Sequence, residues 1–299
     1  MFLSRQSSIT GRLLLTETMA VQSQEALCSD VHPLTTSTSN QSTLEEPQDP
    51  LTEVSLDQLP ESLQAAVGHS GWSGLMPVQA RAIPYLLAGR DMVIQARTGS
   101  GKTAAFLLPM LERLDSAASH TQALVLVPTR ELARQVQRDA EMLWQSNEFR
   151  TVAVYGGVGY GPQVDALTAG AHLVVATPGR ALDHLLRGTL SLEHLTMVVF
   201  DEADRMLSMG FYPDMKEMQS YLPKRPIHTC MFSATFPASV MRTAREFIEQ
   251  PELLTLSRDH VHVTDTEHIA YVVPPMEKDR ALIRIIEIEN PSSAFIFCN

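Results

Sequence analysis

From residue 91 onward, short apolar runs alternate with longer mixed segments. The runs are DMVIQA (91–96), ALVLVP (123–128), TVAVYGG (151–157), HLVVATP (172–178), TMVVFDE (196–202), HTCMFSAT (228–235) and ELLTLS (252–257). Between them lie segments such as TAAFLLPMLERL and RELARQVQRDAEMLW, whose apolar residues recur at helical spacing. A strand that is apolar at every position is buried on both faces, and strands alternating with helices predict an α/β fold: a mostly parallel sheet with helices on both faces. Crossovers in such a sheet are right-handed, and ligands gather at the carboxyl ends of its strands. The polar punctuation ARTGSGKT, PTRE, YGG, TPGR, DEAD and SAT falls at those ends.

The flanks follow other patterns. Residues 20–52 show no periodic apolar face, and TTSTSNQST followed by EEPQDP reads as disordered and slightly acidic, so residues 1–53 are expected to be a disordered tail with order beginning near Val54. The first twenty residues carry Arg5 and Arg12 and no acid before Glu17, a composition shared by an unstructured start, an extension ahead of a second start at Met19, and a transit peptide. At the other end, YVVPPMEKDRALIRIIEIE reads as strand, turn and helix, and AFIFCN as a further buried strand. About 40 residues rarely build a core of their own. The expectation is that residues 54–258 form one domain and that residues 259–299 are a linker and the interrupted start of a second.

Composition narrows the class. The 299 residues are 44% hydrophobic, enough for a substantial core, and carry a formal net charge of -11, which argues against bulk nucleic-acid binding but leaves room for a local basic track. Cys28, Cys230 and Cys298 are far apart and lack metal-ligand spacing, which suits a reducing, cytoplasmic setting, or an organelle if the N-terminal segment is a transit peptide. No apolar run reaches the length of a membrane span.

Chemistry concentrates in two stretches. ARTGSGKT (96–103) lies between a predicted strand and a predicted helix and fits GxxxxGK[ST] in relaxed form, with Ala96 in place of the first glycine. Gly99 and Gly101 let the backbone curl so that amides of Thr98 to Gly101 face phosphate oxygens. Lys102 reaches the outer phosphates and Thr103 offers its hydroxyl to Mg²⁺. In VVFDEADRML (198–207) an apolar strand delivers Asp201 and Glu202 to its tip. Asp201 suits Mg²⁺, directly or through a water, and Glu202 suits orienting and deprotonating an attacking water. A solvated acidic loop would need no apolar run ahead of it.

GWSGLMPVQ (71–79), ARTGSGKT, PTRELA (128–133), Gly156–Gly157, TPGR (177–180), DEAD (201–204) and SAT (233–235), in that order, resemble the DEAD-box RNA helicases. The resemblance implies a RecA-like P-loop NTPase domain over residues 54–258 that uses ATP and Mg²⁺. FIFCN resembles the opening of a second such domain, so the chain is expected to lack the family's arginine fingers and to hydrolyse ATP poorly alone. Gln79 would read the adenine edge. Thr129, Arg130, Gly157, Thr177, Gly179 and Arg180 would hold an RNA backbone without reading bases. Ser233 and Thr235 would couple nucleotide state to RNA, partly through Asp204. Three departures stand out: Val54 where an aromatic usually stacks on adenine, Arg97 where glutamine is usual, and Leu75–Met76 where proline and threonine are usual. Trp72 keeps an aromatic where phenylalanine is common. These predict weakened adenine affinity. The rivals are a nucleotide-regulated RNA clamp, a DNA-directed relative with the same ATPase core, and a metabolic kinase, for which no residue nominates an acceptor pocket.

Overall fold

The computed structural model describes residues 2–6, 47–145, 149–256, 266–270, 273 and 275–296. The chain divides into two compact units, residues 40–259 and the paired end segments 1–39 and 260–299.

In chain order the strands are β1 (Phe2–Gln6), β2 (Met92–Gln95), β3 (Ala123–Leu126), β4 (Thr151–Val154), β5 (Leu173–Ala176), β6 (Met197–Phe200), β7 (His228–Ser233), β8 (Glu252–Thr255) and β9 (Thr266–Ala270). The α-helices are α1 (Glu61–His69), α2 (Pro77–Leu87), α3 (Lys102–Leu111), α4 (Arg130–Trp144), α5 (Gly161–Thr168), α6 (Pro178–Leu186), α7 (Ala203–Ser208), α8 (Tyr212–Met218), α9 (Ala238–Phe247) and α10 (Lys278–Glu289).

The larger unit is built on a seven-stranded sheet of order β4-β5-β3-β6-β7-β2-β8, and every pairing in it is parallel. All seven apolar runs are its strands. The continuous runs arise because successive residues bury on opposite faces. In β2, Met92 and Ile94 join one core while Val93 joins the other; in β6, Met197 and Val199 face the first and Val198 and Phe200 the second. Helices α1 to α4 cover the first face through residues such as Leu63, Ile83, Phe106 and Val136. Helices α6 to α9 cover the second through Ala181, Met206, Met215 and Val240. The connections deliver the P-loop, PTR, GG, TPGR, DEAD and SAT segments to the carboxyl edge after β2, β3, β4, β5, β6 and β7 respectively.

Order begins before Val54. The Leu51 N–H donates to the Tyr85 hydroxyl at 2.9 Å, and the Asp49 carbonyl accepts from Arg90 Nη1 at 2.7 Å. Most of the tail expected to be disordered, residues 7–46, lies outside the described residues, but Phe2–Gln6 is a strand, not a tail. It pairs antiparallel with Thr266–Ala270, setting Leu3 opposite Ile269 and Phe2 opposite Ala270. An apolar pair more than 260 positions apart leaves no local periodicity to read. In the smaller unit β9 ends just before YVV, where a strand was expected and where residues 271 and 272 lie outside the described residues, and α10 follows as expected. Ala294–Ile296 is not a strand, and residues 297–299 lie outside the described residues.

Candidate functional site

The loop after β2 turns on two left-handed residues, Gly99 at φ 77° and Gly101 at φ 89°. Gly101 is constrained twice over. A Cβ there would stand 2.6 Å from both the Met76 sulfur and Gln79 Nε2. Ser100 folds back on Arg97, its hydroxyl donating to the Arg97 carbonyl at 2.7 Å. The Ala96 amide donates to the Ser233 carbonyl at 3.0 Å, tying the root of the loop to the SAT segment. Helix α3 then starts at Lys102, and its first amides, lacking intrahelical acceptors, open toward the loop.

Lys102 is buried, at 6% exposure, and its Nζ has no hydrogen-bond partner among the described residues. An orphaned buried ammonium is costly unless something anionic completes it. Asp201 is also buried, at 3% exposure, and its Oδ1 accepts the Glu202 N–H at 2.9 Å. Burial pushes the Asp201 carboxyl up to about 6, although the nearby Lys102 charge works in the other direction. The next residue, Glu202, sits at φ 53° and ψ 50°, a left-handed conformation that strains a non-glycine residue. Its carboxylate pairs with Arg205 Nη1 at 3.3 Å. The donor set thus fits a polyphosphate with a divalent cation: amides and a buried cation for phosphate oxygens, and a buried carboxylate with the Thr103 hydroxyl for the metal.

Gln79 is spent inside the protein. Its Oε1 accepts the Met76 N–H at 2.8 Å and its Nε2 donates to the Gly101 carbonyl at 3.1 Å. The side chain expected to read a base edge therefore links the Met76 turn to the P-loop. Val54 lies close by, its N–H donating to the Ala80 carbonyl at 3.0 Å, and its side chain packs against the core, as do Leu75 and Trp72.

Asp204, Ser233 and Thr235 form one network. Asp204 Oδ2 accepts the Thr235 N–H at 3.1 Å and the Thr235 hydroxyl at 2.8 Å. The Asp204 N–H reaches Ser233 Oγ at 3.3 Å, and that hydroxyl donates to the Thr235 carbonyl at 2.8 Å. A cleft of about 610 Å³ beside this network is lined by Thr98, Glu202, Asp204, Arg205 and Thr235.

A second cleft, of about 500 Å³, brings together Thr129, Arg130, Gly156, Thr177, Gly179 and Arg180. Gly157, at φ 83°, adjoins it, with Arg130 Nη1 3.6 Å from where its Cβ would lie. Several expected ligands are already committed. Thr129 Oγ1 caps α4 by accepting the Leu132 N–H at 3.3 Å. Arg130 pairs with Glu131 at 2.6 Å on the surface. The Arg180 side chain is only 9% exposed. It donates to the Val158 carbonyl at 3.1 Å and to Gln163 Oε1 at 3.4 Å. Gln163 Nε2 donates to the Tyr155 carbonyl at 3.1 Å, so its Oε1 faces His184 Nε2, also at 3.1 Å, and that nitrogen carries the proton. Burial, then the charge of Arg180, holds the His184 imidazole below its ordinary range. Sequence reasoning missed the acids Glu131 and Asp183 and the apolar Met209 and Phe211 that also line this cleft. Their signal is tertiary, apart from the adjacency of Glu131 to Arg130.

A sequence profile of the DEAD/DEAH box helicase family matches residues 76–243. The chain belongs to the DEAD/DEAH box helicase family. It is 42% identical over 240 residues to the ATP-dependent RNA helicase DeaD of Haemophilus influenzae, covering 80% of this chain and 39% of that protein. It is 38% identical over 240 residues to the DEAD-box ATP-dependent RNA helicase CshA of Bacillus licheniformis, covering 80% of this chain and 49% of the relative. The chain thus spans about half or less of the length of these relatives. A solved DEAD box protein from Methanococcus jannaschii superposes with a TM-score of 0.64 at 32% identity, covering 82% of this chain and 64% of that one. The RecA-like α/β fold that the motifs imply is the fold observed. Among the described residues no helix is long and apolar enough to cross a membrane.

Proposed function

We propose that this chain supplies the nucleotide-binding and part of the RNA-binding surface of an ATP-dependent RNA helicase. The observation that carries the reading is the buried ammonium of Lys102, without a hydrogen-bond partner among the described residues, at the same sheet edge as the buried Asp201 carboxylate. In this reading residues 54–258 are the first RecA-like domain, and residues 259–299 are the linker and the start of a second. The compact unit at residues 40–259 supports that division.

Bound Mg²⁺ would neutralise phosphate charge and polarise the terminal phosphoryl group. Thr103 and the ionised Asp201 would hold the metal. Lys102 and the P-loop amides would hold the phosphates, and Glu202, once released from Arg205, would accept the proton of the attacking water. Gln79 would reach the adenine edge only by giving up a present hydrogen bond, so base recognition is linked to the set of the P-loop. RNA would lie along the second cleft, gripped by backbone amides and hydroxyls that give position without sequence. The Asp204–Thr235 network borders the first cleft and would couple nucleotide state to RNA. In the whole protein, closure of two domains around ATP and RNA would bend the strand and release its partner.

The test is ATP-dependent displacement of a short RNA duplex by the whole protein. Strand release that needs ATP and disappears in Lys102→Ala supports the reading. RNA-stimulated hydrolysis without release favours the clamp, preference for a DNA duplex favours the DNA-directed relative, and indifference of ATP turnover to RNA overturns the proposal.

A further inference from the structure

One cation beside the second cleft has no place in that scheme. Tyr160 closes the Gly156–Gly159 loop at the start of α5, and two arginines stack on its ring. The guanidinium carbons of Arg180 and Arg187 each lie 4.1 Å from the ring centroid. Both cations thus pack on one aromatic ring, whose negative π-face favours a guanidinium. The ring is fixed from its edge, because the Tyr160 hydroxyl donates to Asp183 Oδ2 at 2.8 Å.

The two arginines are not equivalent. Arg180 is turned inward, donates to Val158 and Gln163, and lies 3.9 Å from the Asp183 carboxylate, which offsets its charge. Arg187 follows the last turn of α6, is exposed, and makes no ion pair among the described residues. Its guanidinium is stacked and hence preorganised, with less freedom to lose on binding than a loose surface arginine. The chain carries a net charge of -11, so an uncompensated, oriented cation beside this loop is not part of a general basic surface.

We propose that Arg187, presented by Tyr160, is a further contact to the phosphate backbone of single-stranded RNA, and that Arg180 is a positioning residue that shapes the Gly156–Gly159 loop from within. This rests on the RNA-binding reading above and adds a residue to it. The guanidinium fork suits two phosphate oxygens, and the contact reads no base.

The experiment is fluorescence anisotropy of a short labelled oligouridine with the full 299-residue chain and ATP, over a series of KCl concentrations. Arg187→Ala is expected to weaken binding roughly tenfold and to reduce the slope of log K against log salt by about 0.7, the signature of one lost phosphate contact on a single strand. Arg187→Lys keeps the slope and loses part of the affinity. Tyr160→Ala weakens binding while keeping the slope, because the charge remains but is no longer held; Tyr160→Phe keeps both. ATP affinity is unchanged in all four. A wild-type chain that binds RNA, with an Arg187→Ala variant of unchanged affinity and slope, overturns the assignment of Arg187. A wild-type chain that ignores RNA even at the lowest salt overturns the RNA-binding reading of the second cleft, and this assignment with it.

Discussion

Asp201 offers the sharpest test of the buried site, because the fold holds it in an unfavourable state. Its carboxyl is raised from 3.8 to about 6 by burial. Between those values the folded protein binds a proton that the unfolded chain has released, so the contribution of this group to stability is fully present below 3.8 and is lost as pH rises through about 6. At pH 7 the ionised side chain costs about 3 kcal/mol relative to an exposed aspartate. The penalty shrinks to about half at pH 5 and to a few tenths by pH 4. Asp201→Asn removes the charge and keeps the oxygen that accepts the Glu202 N–H, while leaving one new amide donor to be satisfied, worth about 1 kcal/mol. Without nucleotide or Mg²⁺, the variant is therefore expected to be about 2 kcal/mol more stable than wild type at pH 7, or roughly 4–8 °C in Tm for a unit of this size. The gain should vanish at pH ~4.5 and reverse slightly by pH ~4. Urea denaturation of both proteins between pH 4 and 8 measures this directly. A variant that is less stable than wild type at pH 7, or a difference that does not change with pH, would refute the claim that burial dominates at Asp201.

Three further outcomes follow from the same geometry. Lys102→Ala should weaken ATP binding by at least tenfold to a hundredfold, since a charge-assisted contact contributes about 1.5–3 kcal/mol, as isothermal titration would show. Gly101→Ala should destabilise the chain by roughly 1–3 kcal/mol and weaken nucleotide binding with it, because it forces a left-handed alanine against Met76 and Gln79; thermal melts with and without ATP report both effects. Glu202→Gln should leave ATP affinity within a fewfold of wild type and lower hydrolysis by the whole protein at least a hundredfold, read from a phosphate-release assay.

The apolar runs made the sheet legible because each strand is buried on both sides, so the whole strand is apolar and its polar tip is the functional edge. Lys102, Asp201, Asp204 and Thr235 share one sheet edge because parallel strands bring all their carboxyl ends to one side, which alternating strands and helices imply, but they stand together there because β6, β7 and β2 are neighbours, an order no local pattern states. The state of the individual side chains did not follow. TPGR does not disclose that Arg180 is consumed by Val158, Gln163 and Tyr160, which lie 17 to 22 positions earlier in the chain. GWSGLMPVQ does not disclose that the Gln79 amide is tied to Gly101, and DEADR does not say that Arg205 holds Glu202. These commitments depend on loop conformations that no local period encodes. Beyond the sheet, pairing of Phe2–Gln6 with Thr266–Ala270 was hidden for the same reason.

The residues that break local rules at this edge share a consequence. Lys102 is a buried cation without a hydrogen-bond partner among the described residues, Asp201 is a buried carboxylate, and Glu202 occupies a left-handed conformation. Each is unfavourable in the unliganded fold, and such conflicts are expected where function overrides foldability. A polyphosphate with Mg²⁺ would satisfy the first two at once, supplying anionic oxygens to Lys102 and a cation to Asp201. Part of the binding free energy is then relief of a penalty already present in the protein. Nucleotide affinity and unliganded stability should accordingly move in opposite directions across substitutions at Lys102 and Asp201, whereas a site built only from exposed, satisfied groups would lose affinity with no gain in stability.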